Sequence, residues 1–157
     1  MRKVRINEYG REKLKNLAKY EKRSHYPVVH QWAEKSSTEP KKYVLYFAVP
    51  DDLGNVFTIP NKWCEEVING PTNHAKSTNE LAFELNDKAL KLLSKVGKFD
   101  NEHAYHIIDA WHDKATLTPE EEAEGKRRYD IWFAILSLDK KVFIVQSTWG
   151  AVIENDY

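Results

Sequence analysis

Two long apolar runs, each folded back by a turn, constrain this chain most. DIWFAILSLDKKVFIVQSTWGAVI (130–153) places two nearly unbroken strand-length runs around an Asp-Lys-Lys turn. Runs without alternation imply strands covered on both faces, hence central places in a sheet. KYVLYFAVPDDLGNVFTIP (42–60) repeats the pattern around a Pro/Asp/Gly turn, a hairpin signal. The expected frame is a mainly antiparallel sheet built from two hairpins, about 43–59 and 131–153, with Ile107, Trp111, Trp132, Ile135, Phe143 and Val145 in its core.

Helix signals surround that frame. Asn7 caps a helix over about 8–22, and Ser24 with Pro27 opens a second over YPVVHQWAEK. Pro60 opens a short one through Trp63, Cys64 and Val67. Residues 79–96 read either as one helix or as a strand followed by a helix from Asp87, and TPEE (118–121) is a capping box. A sheet packed against several helices is an α+β fold, here one domain over 1–157. No internal repeat or low-complexity tract is evident, and SSTEPKK (36–42) and NGPTNHAKSTN (69–79), which holds His74, read as connecting loops.

With one cysteine, Cys64, no internal disulfide can form, which fits a reducing compartment. The N-terminal residues lack the apolar segment of a signal peptide, and no run is long enough to span a bilayer. A cytoplasmic protein with no membrane contact is expected. Gly-rich phosphate loops are absent and no cofactor is expected. Residues 1–43 hold twelve Lys or Arg against five Asp or Glu, a net +7, and residues 44–157 hold twelve against nineteen, a net −7. Such separation provides a basic face for an acidic partner, or two halves that neutralise each other.

The stretch most like chemistry is NEHAYHIIDAWHD (101–113). Stepped at about 100° per residue on a helix capped by Asp100, it buries Ala104, Ile107, Ile108, Trp111 and Ala115. Glu102, His106, Asp109 and Asp113 gather on the opposite side, while His103 and His112 lie on its two boundaries. A catalytic reading would use His106, Asp109 and Asp113. A metal reading would use His103, His106 and Asp109, but zinc ligand spacing such as HExxH is missing, and no metal is expected.

The aromatic content, 12% with five Trp and eight Tyr, suits a small non-enzymatic binding or regulatory protein of adaptor or inhibitor type, with a protein partner. A small metal-dependent hydrolase or nuclease using the 102–113 His/Asp face is a second reading. A third comes from the basic N-terminal segment, residues 1–35. Lys3, Arg5 and Asn7 alternate with Val4 and Ile6, and two predicted helices follow, an order that resembles a ribbon-helix-helix motif. The resemblance implies a homodimer that inserts Lys3 and Arg5 into the DNA major groove, with Lys13, Lys15, Lys19 and Arg23 near phosphates.

Overall fold

A computed structural model describes residues 2–36, 41–69, 81–124 and 128–154. The chain runs β1 (Arg2–Ile6), α1 (Glu8–Leu14), β2 (Tyr26–Pro27), β3 (His30–Lys35), β4 (Tyr43–Pro50), β5 (Val56–Pro60), a 3-10 turn (Asn61–Trp63) and β6 (Cys64–Asn69). It continues with β7 (Leu81–Leu85), α2 (Asp87–Leu93), β8 (Tyr105–Lys114), α3 (Pro119–Ala123), β9 (Tyr129–Leu136), β10 (Val142–Gln146), a 3-10 turn (Ser147–Trp149) and β11 (Gly150–Glu154).

The α+β expectation is overturned. The described residues are 48% strand and 19% helical, with three sheets, closer to an all-β fold. The α-helices have seven, seven and five residues, too short to cover a sheet. The sheets run β2-β1-β6, β3-β4-β5 and β10-β9-β8-β7-β11, with every pairing antiparallel.

Three predicted helices are strands. The segment after Ser24 forms β2 and β3. Pro27 sits on an edge strand opposite Lys3, where its missing N–H is tolerated. Residues beyond Pro60 form a 3-10 turn and then β6, so Cys64 lies on a strand. Residues 101–115 contain β8, disguised by a bulge between Ile107 and Asp109. The inward set is Tyr105 and Ile107, then Ala110 and His112, so the bulge replaces one step of two with a step of three. That single three-residue step imitates helical spacing.

The chain also repeats, contrary to the sequence reading. Residues 2–69 and 81–154 each follow the order strand, Asn-capped short helix, three-strand meander, 3-10 turn, closing strand. The registers correspond: Trp32 faces Tyr46 as Trp111 faces Trp132, and Phe47 faces Ile59 as Phe133 faces Val145. In each repeat the closing strand pairs with the first.

An asparagine locks each closure. Asn7 N–H donates to the Trp63 carbonyl (2.8 Å), and Asn86 N–H to that of Trp149 (2.9 Å). Their side chains accept from Gly10 and Ala89 N–H and donate to the carbonyls of Lys62 and Thr148. One residue thus caps the helix and ties it to the 3-10 turn.

Each repeat has its own core. The first packs Val4, Leu14, Tyr20, Tyr26, Phe47, Val49 and Ile59; the second packs their counterparts Phe83, Leu93, Phe99, Tyr105, Phe133, Ile135 and Val145. Trp32 and Ala48, on the outer face of the first repeat, join the second core and so weld the repeats together. Trp111 and Trp132, expected in the core, instead lie half-buried on the outer face of the second repeat.

Candidate binding site

The 101–113 cluster does not converge. On an extended strand rising about 3.3 Å per residue, His106 and Asp113 stand on the order of 20 Å apart. His106 pairs across to Ala82; burial, and then Lys140, lower its pKa. Asp109 and Asp113 are exposed on the outer face, flanking Trp111. His103 bonds Asp100 (2.7 Å), which holds that carboxyl below its ordinary range, and stays in the loop before β8. Among the described residues no group of three or more His, Cys, Asp or Glu is placed to hold a metal ion. Burial pushes the Cys64 thiol up to about 11, leaving it protonated at neutral pH.

The basic N-terminal residues are dispersed too. β1 is hydrogen-bonded by β2 on one edge and β6 on the other, whereas a ribbon-helix-helix strand needs a free edge for its dimer mate. The second helix of that motif is β2 and β3. Arg5 lies 3.8 Å from Glu66, Lys15 2.9 Å from Glu12, and Arg23 2.7 Å from Glu154. Lys13 lies over the Tyr9 ring, while Lys3 points away from buried Val4, and the Lys19 side chain is exposed. The stretch 70–80, with His74, lies outside the described residues.

What the fold does bring together is the junction of the repeats. β3 presents His30, Trp32 and Glu34 on one face, because strand side chains alternate. This row meets His112 and Tyr129 of the second repeat. The His112 ring stacks on Trp32 with centroids 4.1 Å apart, and His30 Nε2 lies 2.9 Å from His112 Nδ1. In such a pair one ring donates and the other accepts, so the bond requires at least one neutral imidazole. Burial, and then the neighbouring His112, lower the His30 pKa and favour that state. The Tyr129 hydroxyl donates to Glu34.

Beside the junction lies an open cleft of about 550 Å³. The first repeat supplies Tyr46, Phe57, Thr58, Pro60 and Trp63; the second supplies Arg128, Tyr129, Asp130 and Gln146. Arg128 is oriented by Glu121 (3.0 Å) and the Thr116 carbonyl (3.1 Å), and Gln146 donates to Asp130 (3.1 Å). α3 thereby acquires a role: its capping box, Thr118 with Glu121, fixes the carboxylate that holds Arg128 at the rim. The walls are aromatic and the rim carries both charges, a composition that desolvates an apolar anchor and orients polar groups around it.

Sequence reasoning missed this site because its walls come from both repeats. The usable signal was the correspondence of HQWAEK (30–35) with DAWHDK (109–114). No protein-family model, curated protein or solved structure matches the chain. Among the described residues no helix is long and apolar enough to cross a membrane.

Proposed function

We propose that the chain is a non-catalytic binding protein of adaptor or inhibitor type that holds a segment of a protein partner in the cleft between its repeats. The observation carrying this reading is the cleft's make-up: Tyr46, Trp63, Arg128 and Tyr129 around about 550 Å³ of open space. Tyr, Trp and Arg are the side chains most often responsible for binding energy at protein interfaces. A partner segment would insert an apolar side chain between Tyr46 and Phe57 and meet Arg128 and Asp130 at the rim. The single cysteine, protonated and half-buried, suits work in the reducing cytoplasm.

A photo-crosslinking residue at Thr58, inside the cleft, tests the reading against the same residue at exposed Lys88 on α2. A discrete adduct from Thr58 only, lost when Tyr46→Ala is added, is expected. Equal labelling from both sites, or no adduct from Thr58, overturns it.

A further inference from the structure

The outer face that welds the first repeat to the second has an uncovered counterpart. In the first repeat Trp32, Glu34, Tyr46 and Val56 lie on the second repeat, against Tyr129 and the core around Ile131 and Val152. The Gly54 carbonyl at the turn after β4 accepts from Val152 N–H at 2.8 Å.

The second repeat carries the same set in type: Trp111, Asp113, Trp132 and Val142, with Lys140 where Gly54 stands. Lys140 keeps the left-handed backbone of Gly54, φ 65° against 85°, so its carbonyl is presented alike. Among the described residues the β10 side of this face is open, with Val142 57% exposed and its neighbour Ile144 59%, while Trp111 and Trp132 are half-buried.

The receiving surface has a counterpart as well. Tyr43, Leu45 and Val67 of the first repeat correspond in register to Tyr129, Ile131 and Val152. Tyr43 is 65% exposed and Val67 41%, whereas Val152, under Gly54, is 5% exposed.

We propose that the protein assembles head to tail with further copies of itself, the Trp111/Trp132/Val142 face of one copy seating on the Tyr43/Leu45/Val67 edge of the next. The contact repeats the one that joins the two halves of a single chain. Trp111 meets the Tyr43 ring edge to face as Trp32 meets Tyr129, and Asp113 accepts from the Tyr43 hydroxyl as Glu34 does from Tyr129. Charge favours the same pairing. Asp109 and Asp113 rim the open face, while Lys35 and Lys41 lie beside the open edge. The interface is heterologous, so copies add until the rotation closes a ring or continue as a filament. It is separate from the partner cleft and stands or falls independently of it.

Sedimentation velocity on the full chain tests the proposal, from about 5 to about 200 µM, a range that brackets micromolar association. Mean mass should rise with concentration, and less so in about 0.5 M salt, where charges are screened. Val142→Lys disables the face and Tyr43→Ser the edge; both positions are exposed, so folding should survive, as checked by the melting temperature. Each variant alone should remain a monomer. Mixed, they should form a 1:1 pair and nothing larger, since one retains a sound edge and the other a sound face. A wild type monomeric throughout, variants that associate as wild type does, or a mixture that stays monomeric would each overturn the proposal.

Discussion

Trp32 and Trp111 occupy equivalent places in the two repeats, yet only Trp32 is covered, at 8% exposure. Replacing each by Ala therefore measures the junction itself. A buried Trp removes some 150–250 Å² from water, worth about 4–6 kcal/mol at roughly 25 cal/mol per Å², an upper bound. Stacking on His112, centroids 4.1 Å apart, adds to the loss. Against this, the Trp32 indole N–H is buried with no acceptor among the described residues. Its removal returns about 1 kcal/mol or more of unmet desolvation. Trp32→Ala should thus destabilise by about 3–4 kcal/mol, within the usual range for a core aromatic. Trp111→Ala loses a cross-strand pair with Trp132 and partial burial, about 1–1.5 kcal/mol. Urea unfolding followed by far-ultraviolet circular dichroism, at about 2 µM so that any association is negligible, gives both values. A difference smaller than about 0.5 kcal/mol, or a larger loss at Trp111, would mean that the first repeat does not dock through Trp32.

Two other outcomes follow from the same geometry. The His30 pKa is lowered in the folded chain while the unfolded value is about 6.5, so the unfolded state binds more protons in acid. The junction's contribution is complete above the unfolded value and falls as pH drops below it. Urea midpoints should decline between about pH 6.5 and 5.5 in wild type and less in His30→Gln; equal declines would refute a role for the pair. Gly54 sits at φ 85° and a Cβ there would meet the Ala151 Cβ at 2.7 Å, so Gly54→Ala should be destabilising by about 2 kcal/mol or more. An unchanged urea midpoint would show that the turn and β11 do not touch.

The hairpins β4–β5 and β9–β10 were legible because apolar runs and turn residues act locally. The second nonetheless ends at Gln146, with β10 at the sheet's edge rather than its centre and Gly150–Glu154 leaving to pair with β7. Val49, Ile59, Ile135 and Val145 end fully buried, and the turn residues Gly54 and Lys140 take left-handed backbone. The Asn7 cap and the Thr118 capping box were legible for the same reason: each completes within three residues. Strand and helix were confused where a long-range partner decides. Nothing inside YPVVHQWAEK or YHIIDAWHDK reveals that β4 and β9 wait to pair with them. The repeat escaped notice because its shared residues are sparse. Asn7 and Asn86, Tyr26 and Tyr105, Trp32 and Trp111, Trp63 and Trp149 recur, but the segments between them diverge in charge and apolarity. The His30–His112 contact spans 82 positions and is visible only once the repeats are folded and docked.

The divergence between repeats is itself informative. Moving from the covered face to the open one, Tyr46 becomes Trp132, Thr58 becomes Ile144 and His30 becomes Asp109. A face left to water would be expected to become more polar at its centre, as the terminal units of stacked repeat proteins do. Here the centre becomes more apolar and only the rim gains charge, the pattern of an interface core within a polar border. The opposite end behaves likewise: Tyr43 and Val67 remain aromatic and aliphatic although exposed, and the lysines gather beside them. The net +7 over residues 1–43 is spread across the first repeat, with Arg5, Lys15 and Arg23 paired to Glu66, Glu12 and Glu154, so that Lys35 and Lys41 are the charges that bear on the open edge. Neutral overall, such a chain has no long-range repulsion to keep copies apart, and its ends attract in one orientation only.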